Sequence, residues 1–307
     1  MKLQILLATY NSEKFLREQL DSILAQDHQD FQLLMRDAGS TDSTLDIIKS
    51  YVERYPEKIF YIGQSKDNAC RNFSHLLAVS DADLIMFSDH DDVWMPDKIS
   101  RTLNKYMQAE KVYGKECPIL VFTDSAVTDK NLNILNNSMF SYQKLDPENT
   151  SFIRLTVQNT ASGNSMLINR SLKELAVPLP QEAVMHDHYL MLTAAAMGKI
   201  ILLNEPTLLY RQHDDNVFGA ADCGVFYFLR KLLHGRKNIV QRFNNNIIQA
   251  EAFYLRNQGK LPLETEKFLS ELAAFRSLGI FAKRRFLLRW RMFKCGFLRN
   301  VGMFLVI

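Results

Sequence analysis

The sequence has few cysteines and no apolar run long enough to cross a membrane. Its four cysteines, Cys70, Cys117, Cys223 and Cys295, lie far apart and form no CxxC pair. This spacing argues against a disulfide framework and a cysteine zinc site, and it favours a reducing compartment. The mean hydropathy is -0.15, and no segment reaches the roughly 20 apolar residues of a membrane-spanning helix. We therefore expect a chain that does not cross a bilayer.

Several phosphate-binding and hydrolytic motifs are also absent. None of the 12 glycines falls in a GxGxxG or GxxxxGK[ST] pattern, and neither HExxH nor GxSxG occurs. These absences argue against a dinucleotide fingerprint, a Walker loop, a zinc protease and an α/β-hydrolase. With 307 residues, 47% of them hydrophobic and 23% charged, the chain has the composition of a folded protein with a sizeable core.

The amino-terminal part alternates strand-like and helix-like segments. The apolar run from Leu3 to Ala8 is too short for a secretory signal and is typical of a buried parallel strand. Helical spacing follows at Leu16, Leu20, Ile23 and Leu24, and further strands are predicted at 31–35, 59–62 and 84–87. This order predicts an α/β fold with a mostly parallel, Rossmann-like sheet, helices on both faces, and ligands at the carboxyl ends of the strands.

Charge is divided unevenly along the chain. Residues 1–220 hold 21 Lys and Arg against 29 Asp and Glu, whereas residues 221–307 hold 16 against 5. The acidic part is suited to a divalent cation, and the basic part should attract phosphates on lipid or nucleic acid; ordinary surface solubility is the alternative. Beyond about residue 215, aromatic and basic residues interleave at helical spacing, which predicts a helical carboxyl-terminal extension.

Three carboxylates stand within four positions, directly after the predicted strand that ends at Phe87. Asp89, Asp91 and Asp92 repel one another unless solvent or a cation neutralises them. Their oxygens suit Mg²⁺ or Mn²⁺, and such a cation keeps open positions for substrate phosphates. The sequence therefore predicts a metal site here, with a plain acidic turn as the alternative.

Two further loops should open onto the same crevice. Thr9, Tyr10 and Asn11 follow the first predicted strand, and Asp37 begins the loop after the second. Asp37 is able to accept a hydrogen bond from a pyrimidine imide, and Tyr10 offers a ring for stacking. Turn formation and helix capping are equally compatible with these residues.

The ordered set of motifs resembles the inverting family 2 glycosyltransferases of the GT-A fold, and among them the bacterial rhamnosyltransferases of cell-surface polysaccharide synthesis. The motifs are Ala8-Thr9-Tyr10-Asn11, Asp37-Ala38-Gly39-Ser40-Thr41-Asp42, Asp89-His90-Asp91-Asp92-Val93-Trp94 and His186-Asp187. The resemblance implies a GT-A nucleotide-sugar-binding domain at residues 1–218, and the composition beyond it predicts a basic, aromatic helical extension at 219–307. It also implies a nucleotide-diphosphate sugar donor.

The resemblance assigns expected roles to single residues. Asp37 is expected at the pyrimidine, Asp89 at the ribose and the metal, and Asp91 on the metal that bridges the diphosphate. His213 matches a position that closes over the diphosphate and is expected to ligate the metal; from the residues alone, a surface or hydrogen-bonded histidine is the alternative. Arg211, in the same segment, is expected to contact the donor. The resemblance also implies that Asp187 is the catalytic base; from the residues alone, a helix N-cap is an equal alternative.

The chain departs from the family pattern at two places, and it offers further candidates on the acceptor side. Ala38 stands where the family usually has a second Asp, and His186 stands where it usually has Glu. The residues expected on the acceptor side are Asp92, Trp94, Gly163, Asn164 and His186. A turn glycine and a core aromatic are the alternatives for Gly163 and Trp94.

Inverting transfer needs one carboxylate base for the acceptor hydroxyl and a cation at the leaving diphosphate. We expect Mn²⁺- or Mg²⁺-dependent transfer of L-rhamnose from dTDP-β-L-rhamnose, a donor implied by the resemblance. The expected acceptor is a lipid-linked or growing cell-surface saccharide, and the expected location is the cytoplasmic face of a bacterial membrane. The alternatives are a glucosyl- or galactosyltransferase that uses a UDP-sugar, a sugar nucleotidyltransferase, and a non-catalytic sugar-nucleotide-binding protein.

An aromatic series marks the carboxyl-terminal region. Phe286, Trp290, Phe293 and Phe297 recur at helical spacing, and no acidic residue lies between positions 283 and 299. The pattern predicts one helix that presents an aromatic stripe to an anionic membrane surface. Packing on the core or in a homodimer interface is the alternative. Nucleic acid is not expected as a partner, because no recognised binding module is present.

Overall fold

The computed structural model describes residues 1–213 and 236–307. The predicted domain boundary at residues 218 and 219 lies outside them. The strands of the described part are β1 (Leu3–Thr9), β2 (Gln32–Asp37), β3 (Ile59–Gln64), β4 (Leu84–Ser88), β5 (Val93–Trp94), β6 (Ile119–Thr128), β7 (Ile134–Asn136), β8 (Met166–Asn169) and β9 (Lys199–Arg211).

Helices alternate with the first four strands and then dominate the carboxyl-terminal region. They are α1 (Leu16–Leu24), α2 (Thr44–Arg54), α3 (Ala69–Val79), α4 (Lys98–Tyr113), α5 (Met139–Gln143), α6 (Phe152–Leu155), α7 (Arg170–Ala176), α8 (His186–Met197), α9 (Arg236–Asn257), α10 (Leu263–Leu272), α11 (Ile280–Arg289) and α12 (Phe297–Val306). Within the described ranges, no helix is both long enough and apolar enough to span a bilayer.

All nine strands described belong to one mixed sheet with the order β3-β2-β1-β4-β8-β6-β9-β5, and β7 pairs with β6. The first four strands are parallel, as the sequence predicts. β8 runs antiparallel between β4 and β6, and β9 then runs parallel to β6. The predicted α/β class and the parallel first half of the sheet are confirmed, and the antiparallel strands are an addition.

The pairing of β6 with β9 is irregular in the middle. Thr123 pairs with Leu203, but the next residue, Asp124, pairs with Pro206, and Ala126 pairs with Leu209. β9 therefore carries extra residues relative to its partner, which bends the strand locally and admits a proline that cannot donate to the ladder. After this stretch, β9 runs on to Arg211, whose backbone N–H reaches Asp92 of the loop after β4.

Two apolar layers cover the sheet, as the predicted helices on both faces require. Side chains of α1, α2 and α4 pack on one face, and those of α3, α6, α7 and α8 pack on the other. β1 serves both layers, because Leu6 faces one and Ile5 and Leu7 face the other. This explains why the strand reads as a continuous apolar run rather than an alternating one.

The carboxyl-terminal helices pack on the layer that contains α8. The Phe253 ring of α9 lies 5.3 Å from Phe152 and 5.8 Å from Tyr189. Gln249 of α9 accepts a hydrogen bond from the backbone N–H of Val184, just before α8. The extension is thus built into the same core as the sheet domain.

The prediction of one helix with a continuous aromatic stripe is wrong. α11 ends at Arg289, and Arg291 has a φ of 49°, a left-handed conformation that a helix cannot continue through. Phe286 faces the core, where its ring lies 5.3 Å from that of Phe275. The ring of Trp290 packs 5.3 Å from that of Phe268. Two of the four aromatic residues therefore stabilise the core and do not form an outward stripe.

Candidate active site

The loops after β1 and β2 are tied together at the carboxyl edge of the sheet. The backbone N–H of Asn11 donates to Ser40 Oγ over 2.8 Å, and the N–H of Thr41 donates to Asn11 Oδ1 over 2.9 Å. Asn11 has a φ of 45°, a conformation that asparagine tolerates better than most residues. The neighbouring Tyr10 is 55% exposed, so its ring is available for stacking on a ligand.

Asp37 organises the second of these loops. Thr9 Oγ1 and Ser40 Oγ donate to its Oδ1 over 2.8 and 2.6 Å, and the N–H groups of Gly39 and Ser40 donate to its Oδ2 over 2.8 and 2.7 Å. The residue has no exposed surface, and four donors fill the capacity of a carboxylate. This geometry favours the turn role that the sequence left open, because contact with a base would require one of these hydrogen bonds to be given up.

A histidine from the far end of the sheet domain meets the acidic loop after β4. His213 Nε2 and Asp91 Oδ2 share a hydrogen bond of 2.9 Å, and the His213 ring packs 4.9 Å from that of Phe15. Burial raises the pKa of Asp91, but the His213 hydrogen bond and the charges of His90 and His213 outweigh burial and lower this pKa below its usual value. Asp91 is therefore the carboxylate of the loop that stays ionised.

The other two carboxylates of the loop are harder to ionise. Burial, with the charges of Asp91 and Asp187, raises the pKa of Asp89 to about 8. Burial and the charges of Asp91 and Asp89 likewise raise the pKa of Asp92 well above its usual value. The loop therefore resists taking up its full negative charge, and a bound cation would favour the ionised form of these carboxylates.

Asp91 and His213 fit a divalent cation as two of its ligands. Two neighbouring ligands of an octahedral ion, each at about 2.1 Å, lie about 3.0 Å apart, and the two donor atoms here are 2.9 Å apart. No group of three or more His, Cys, Asp or Glu side chains in the described ranges is arranged to hold a metal ion. Besides these side chains of the described ranges, a cation at this pair would thus need further ligands, such as phosphate oxygens.

Asp92 joins three parts of the site, and its expected place on the acceptor side stays a prediction. It is fully buried. Its Oδ1 accepts the backbone N–H of Arg211 over 3.2 Å, and its Oδ2 accepts the side-chain amide of Asn164. The acidic loop is thereby fixed to the end of β9 and to the loop before β8.

Arg211 is also a structural residue here. Its Nε donates to the carbonyl of Asp91 over 2.8 Å, its Nη1 donates to the carbonyl of Lys130 over 2.8 Å, and its Nη2 pairs with Glu18. Its guanidinium lies 4.6 Å above the Phe15 ring. Only 3% of the residue is exposed, and its contacts hold the acidic loop, while the expected donor contact stays a prediction.

Asp187 lies in the first turn of α8, whose N-cap is Met185, so the N-cap alternative is wrong. Its Oδ1 accepts the backbone N–H of His188 over 2.6 Å, and its carboxylate also accepts the N–H of Gly163. Burial raises the pKa of Asp187 to about 6 despite these hydrogen bonds. Its charge acts on Asp89, so the two carboxylates are near enough to influence each other's ionisation.

The remaining residues expected on the acceptor side are buried, and their acceptor role stays a prediction. His186 is 1% exposed, neither ring nitrogen has a hydrogen-bond partner, and its ring stacks 3.9 Å from Phe73. Burial lowers the pKa of His186 to about 3, so the ring is neutral. Trp94 is 2% exposed and belongs to the core. Gly163 and Asn164 are buried as well, and their contacts are with His186, Asp187 and Asp92.

Sequence reasoning missed a buried lysine beneath the acidic loop. Lys98 has no exposed surface, its Nζ donates to Thr207 Oγ1 over 3.1 Å, and it lies 4.9 Å from the centre of the Trp94 ring. Burial lowers its pKa to about 7, and the charge of Asp92 partly offsets this shift. The only signal in the sequence was a lysine at the start of an amphipathic helix, a position that is usually exposed.

Two curated relatives match most of the chain. An uncharacterized glycosyltransferase of Nostoc sp. is 27% identical over 220 residues, which cover 70% of this chain and 66% of that protein. The dTDP-rhamnosyl transferase RfbG of Shigella flexneri is 29% identical over 223 residues, which cover 70% of this chain and 74% of RfbG. The chain thus spans slightly less than two thirds of the Nostoc protein and somewhat more of RfbG.

Solved structures of the same fold cover nearly the whole chain. Staphylococcus aureus TarS 1-349 in complex with UDP matches with a TM-score of 0.55 and 17% identity, over 92% of this chain and 73% of TarS. The mannosyltransferase PcManGT from Pyrobaculum calidifontis, in complex with GDP-Man and Mn²⁺, matches with a TM-score of 0.55 and 15% identity, over 98% and 78%. These likenesses show the GT-A fold. The model of Glycosyl transferase family 2 matches residues 4–175, more than half of the chain, and the chain belongs to this family.

Proposed function

We propose that this protein transfers a sugar, with inversion, from a nucleotide-diphosphate donor to a saccharide hydroxyl. One observation carries the proposal. Asp187, a carboxylate with a raised pKa, acts electrostatically on Asp89 of the acidic loop, and His213 meets the same loop at Asp91. Inverting transfer requires these two elements, a base on one side of the anomeric carbon and charge neutralisation on the other.

Asp187 serves as the base. Its pKa of about 6 keeps it ionised at neutral pH yet basic enough to accept the proton of an acceptor hydroxyl. As the hydroxyl oxygen bonds to the anomeric carbon, the proton passes to Asp187, and the bond from the anomeric carbon to the diphosphate oxygen breaks. The N–H groups of His188 and Gly163 hold the carboxylate in place during this step.

Asp91 and His213 would hold the divalent cation, Mn²⁺ or Mg²⁺, and Asp89 would contact the donor ribose and the metal. When bound, the cation neutralises the charge that grows on the leaving diphosphate. Asp92, Arg211 and Asn164 act behind these residues, because their hydrogen bonds fix the acidic loop.

The donor nucleotide lies against the loops after β1 and β2. The exposed Tyr10 ring stacks on the base, while Thr9, Asn11 and Asp37 build the wall behind it. We favour dTDP-β-L-rhamnose as the donor, with the identity to RfbG as support, and a lipid-linked or growing cell-surface saccharide as the acceptor. The proposed place of work is the cytoplasmic face of the bacterial membrane.

A donor panel tests the proposal. The full chain is incubated with Mn²⁺ or Mg²⁺, a saccharide acceptor and, in separate reactions, dTDP-rhamnose, UDP-glucose, UDP-galactose and GDP-mannose. Release of the free nucleotide diphosphate is measured with and without a chelator. We expect chelator-sensitive release that is fastest from dTDP-rhamnose.

The outcomes separate the proposal from its alternatives. Faster release from UDP-glucose or UDP-galactose would overturn the rhamnose assignment and leave the transfer chemistry standing. Pyrophosphate formed from a nucleoside triphosphate and a sugar phosphate would instead indicate a nucleotidyltransferase. No release from any donor with any acceptor would overturn the enzyme proposal.

A further inference from the structure

The last two helices expose a group of large apolar side chains. Phe281 and Leu288 on α11 are 80% and 58% exposed, and Phe297 and Leu305 on α12 are 79% and 59% exposed. Single exposed apolar residues are ordinary on a protein surface, whereas a group of them on neighbouring helices indicates a contact surface. No described element of the chain covers these four side chains.

A groove runs between α11 and α12. Arg284 Nε donates to the carbonyl of Phe304 over 3.1 Å and joins the two helices. The rings of Phe293 and Phe304 lie 6.4 Å apart on its floor. The groove has a volume of ≈ 590 Å³ and is lined mainly by Arg284, Phe293, Phe297, Val301, Phe304 and Leu305.

The apolar lining of α12 follows helical spacing. Phe297, Val301, Phe304 and Leu305 stand at i, i+4, i+7 and i+8, which places them along one side of the helix. They line the groove, whereas Met303 is buried against the core. α12 therefore uses one side for the core and leaves a second apolar side uncovered.

The charge around this surface is of one sign. No acidic residue follows Glu271, and eight basic residues lie between Arg276 and Arg299. Arg276 and Arg289 pair with Glu251 and Glu271. Arg285 and Arg291 are exposed, and neither forms an ion pair with an acidic side chain of the described residues. The surface is thus apolar and cationic at once.

We propose that α11 and α12 form a docking surface for an anionic lipid bilayer. Phe281, Leu288, Phe297 and Leu305 enter the boundary between headgroups and hydrocarbon, and Arg285 and Arg291 contact lipid phosphates. The proposal concerns where the protein works and is independent of the donor chemistry proposed above.

Two other occupants fit the surface less well. A symmetric contact with a second copy would bring two surfaces of the same positive charge together, and among the described residues the acidic side chains beside this surface, Glu251 and Glu271, already pair with Arg276 and Arg289. A nucleic acid would offer phosphates to the arginine side chains of the surface. It has no hydrocarbon to bury Leu288 or Leu305, however, and these side chains have no ring for base stacking.

Vesicle binding by the full chain tests the proposal. The protein is mixed with vesicles of phosphatidylcholine alone or of phosphatidylcholine with phosphatidylglycerol, and the bound fraction is measured by flotation at low and high salt. We expect binding to the anionic vesicles that weakens as salt rises. The double variant Arg285→Glu/Arg291→Glu should lose at least about 25-fold in partition coefficient, because each surface cation is worth about fivefold.

The apolar contribution has a matched control in the same chain. Phe297→Ser/Leu305→Ser should weaken vesicle binding at least about tenfold. Ile134→Ser/Leu135→Ser, which changes two comparably exposed apolar residues of β7, should leave it unchanged. All variants should keep the wild-type circular dichroism spectrum and nucleotide-diphosphate release with a water-soluble acceptor.

Four results would overturn the proposal. The first is an absence of vesicle binding, and the second is binding that does not depend on lipid charge. The third is a loss of binding in the β7 control equal to that in Phe297→Ser/Leu305→Ser, and the fourth is a dimer that Phe297→Ser/Leu305→Ser dissociates. Binding to single-stranded DNA that Arg285→Glu/Arg291→Glu abolishes, without any vesicle binding, would assign the surface to nucleic acid instead. None of these results depends on whether the donor assignment is correct.

Discussion

His213 Nε2 lies 2.9 Å from Asp91 Oδ2, although 122 positions separate the two residues in the sequence. Asp91 follows β4 near one half of the sheet, and His213 follows β9 in the other. The pair therefore forms only when both halves of the sheet are complete. Its donor atoms have the separation of two neighbouring ligands on an octahedral cation.

Removal of either member of this pair should weaken the response to metal. We expect His213→Ala and Asp91→Asn each to raise the Mn²⁺ concentration for half-maximal nucleotide-diphosphate release at least about tenfold, because even residues that only support ligands contribute that much. Titration of activity with Mn²⁺ measures the effect. His75→Ala, on the exposed side of α3, is the control. An unchanged midpoint in both site variants would contradict the proposed ligands.

Asp187→Asn should abolish turnover while donor binding is retained. The amide keeps the shape of the side chain but accepts no proton, and loss of a general base costs about 10² to 10⁴ in rate. Stopped assays of product and calorimetric binding of the donor nucleotide separate the two effects. The matched control is Asp46→Asn, which changes an exposed aspartate in the first turn of α2. Turnover within threefold of the wild type in Asp187→Asn would exclude its role as base.

The pH profile should report the same carboxylate. Because burial raises the pKa of Asp187 to about 6, the base is ionised above that pH and protonated below it. We expect kcat/KM to be level above about pH 6 and to fall tenfold per pH unit below it. The residual activity of Asp187→Asn should lack this acidic limb. A limb that persists in the variant would assign the titration to another group.

Gly163→Ala should disturb the base through His186. A Cβ at position 163 would lie 2.5 Å from His186 Nε2, and a forced fit of this kind costs about 1 to 3 kcal/mol. We expect a lower thermal midpoint and slower turnover, since Gly163 also donates to Asp187. The double variant Gly163→Ala/His186→Ala should lose less unfolding free energy than the two single variants lose in sum. Strict additivity would show that the two residues do not meet.

Lys98 should make stability depend on pH in a defined window. Burial lowers its pKa from 10.5 to about 7 in the folded protein, so between these values the unfolded chain binds more protons. Its contribution to stability therefore rises with pH from about 7 to about 10. The difference in unfolding free energy between wild type and Lys98→Met should rise across this window. Lys111→Met, an exposed change on α4, is the control, and a flat difference for Lys98→Met would contradict the shift.

Local patterns in the sequence are sufficient for the elements nearest the site. Leu16, Leu20 and Ile23 point to one side and were correctly predicted to form α1. The run from Leu3 to Ala8 was correctly predicted to be a buried strand. Both signals depend only on neighbouring residues. The antiparallel insertion of β8 between β4 and β6 has no such signal, because strand order is decided by contacts between distant segments.

The accessibility of site residues was the hardest property to predict. Arg211, Trp94 and His186 are polar or amphipathic residues beside acidic motifs, and such residues usually reach solvent. Here Arg211 is held by Glu18 and two carbonyls, and His186 fills space beside Phe73. These partners are distant in sequence, so no local sequence pattern predicts the contacts. The end of the helix α11 at Arg289 was missed for a related reason. The residue with a φ of 49° is Arg291, and an arginine in a sequence does not predict the end of a helix.

The extra residues that β9 carries opposite Asp124 have a consequence for how this protein tolerates change. Side chains along a strand point alternately to its two faces. Loss or gain of one residue in this stretch would therefore move every later side chain of the strand to the opposite face. His213 would then point away from Asp91 with every amino acid of the site still present. The spacing within β9 is accordingly as strict a requirement as the identity of the residues at its end.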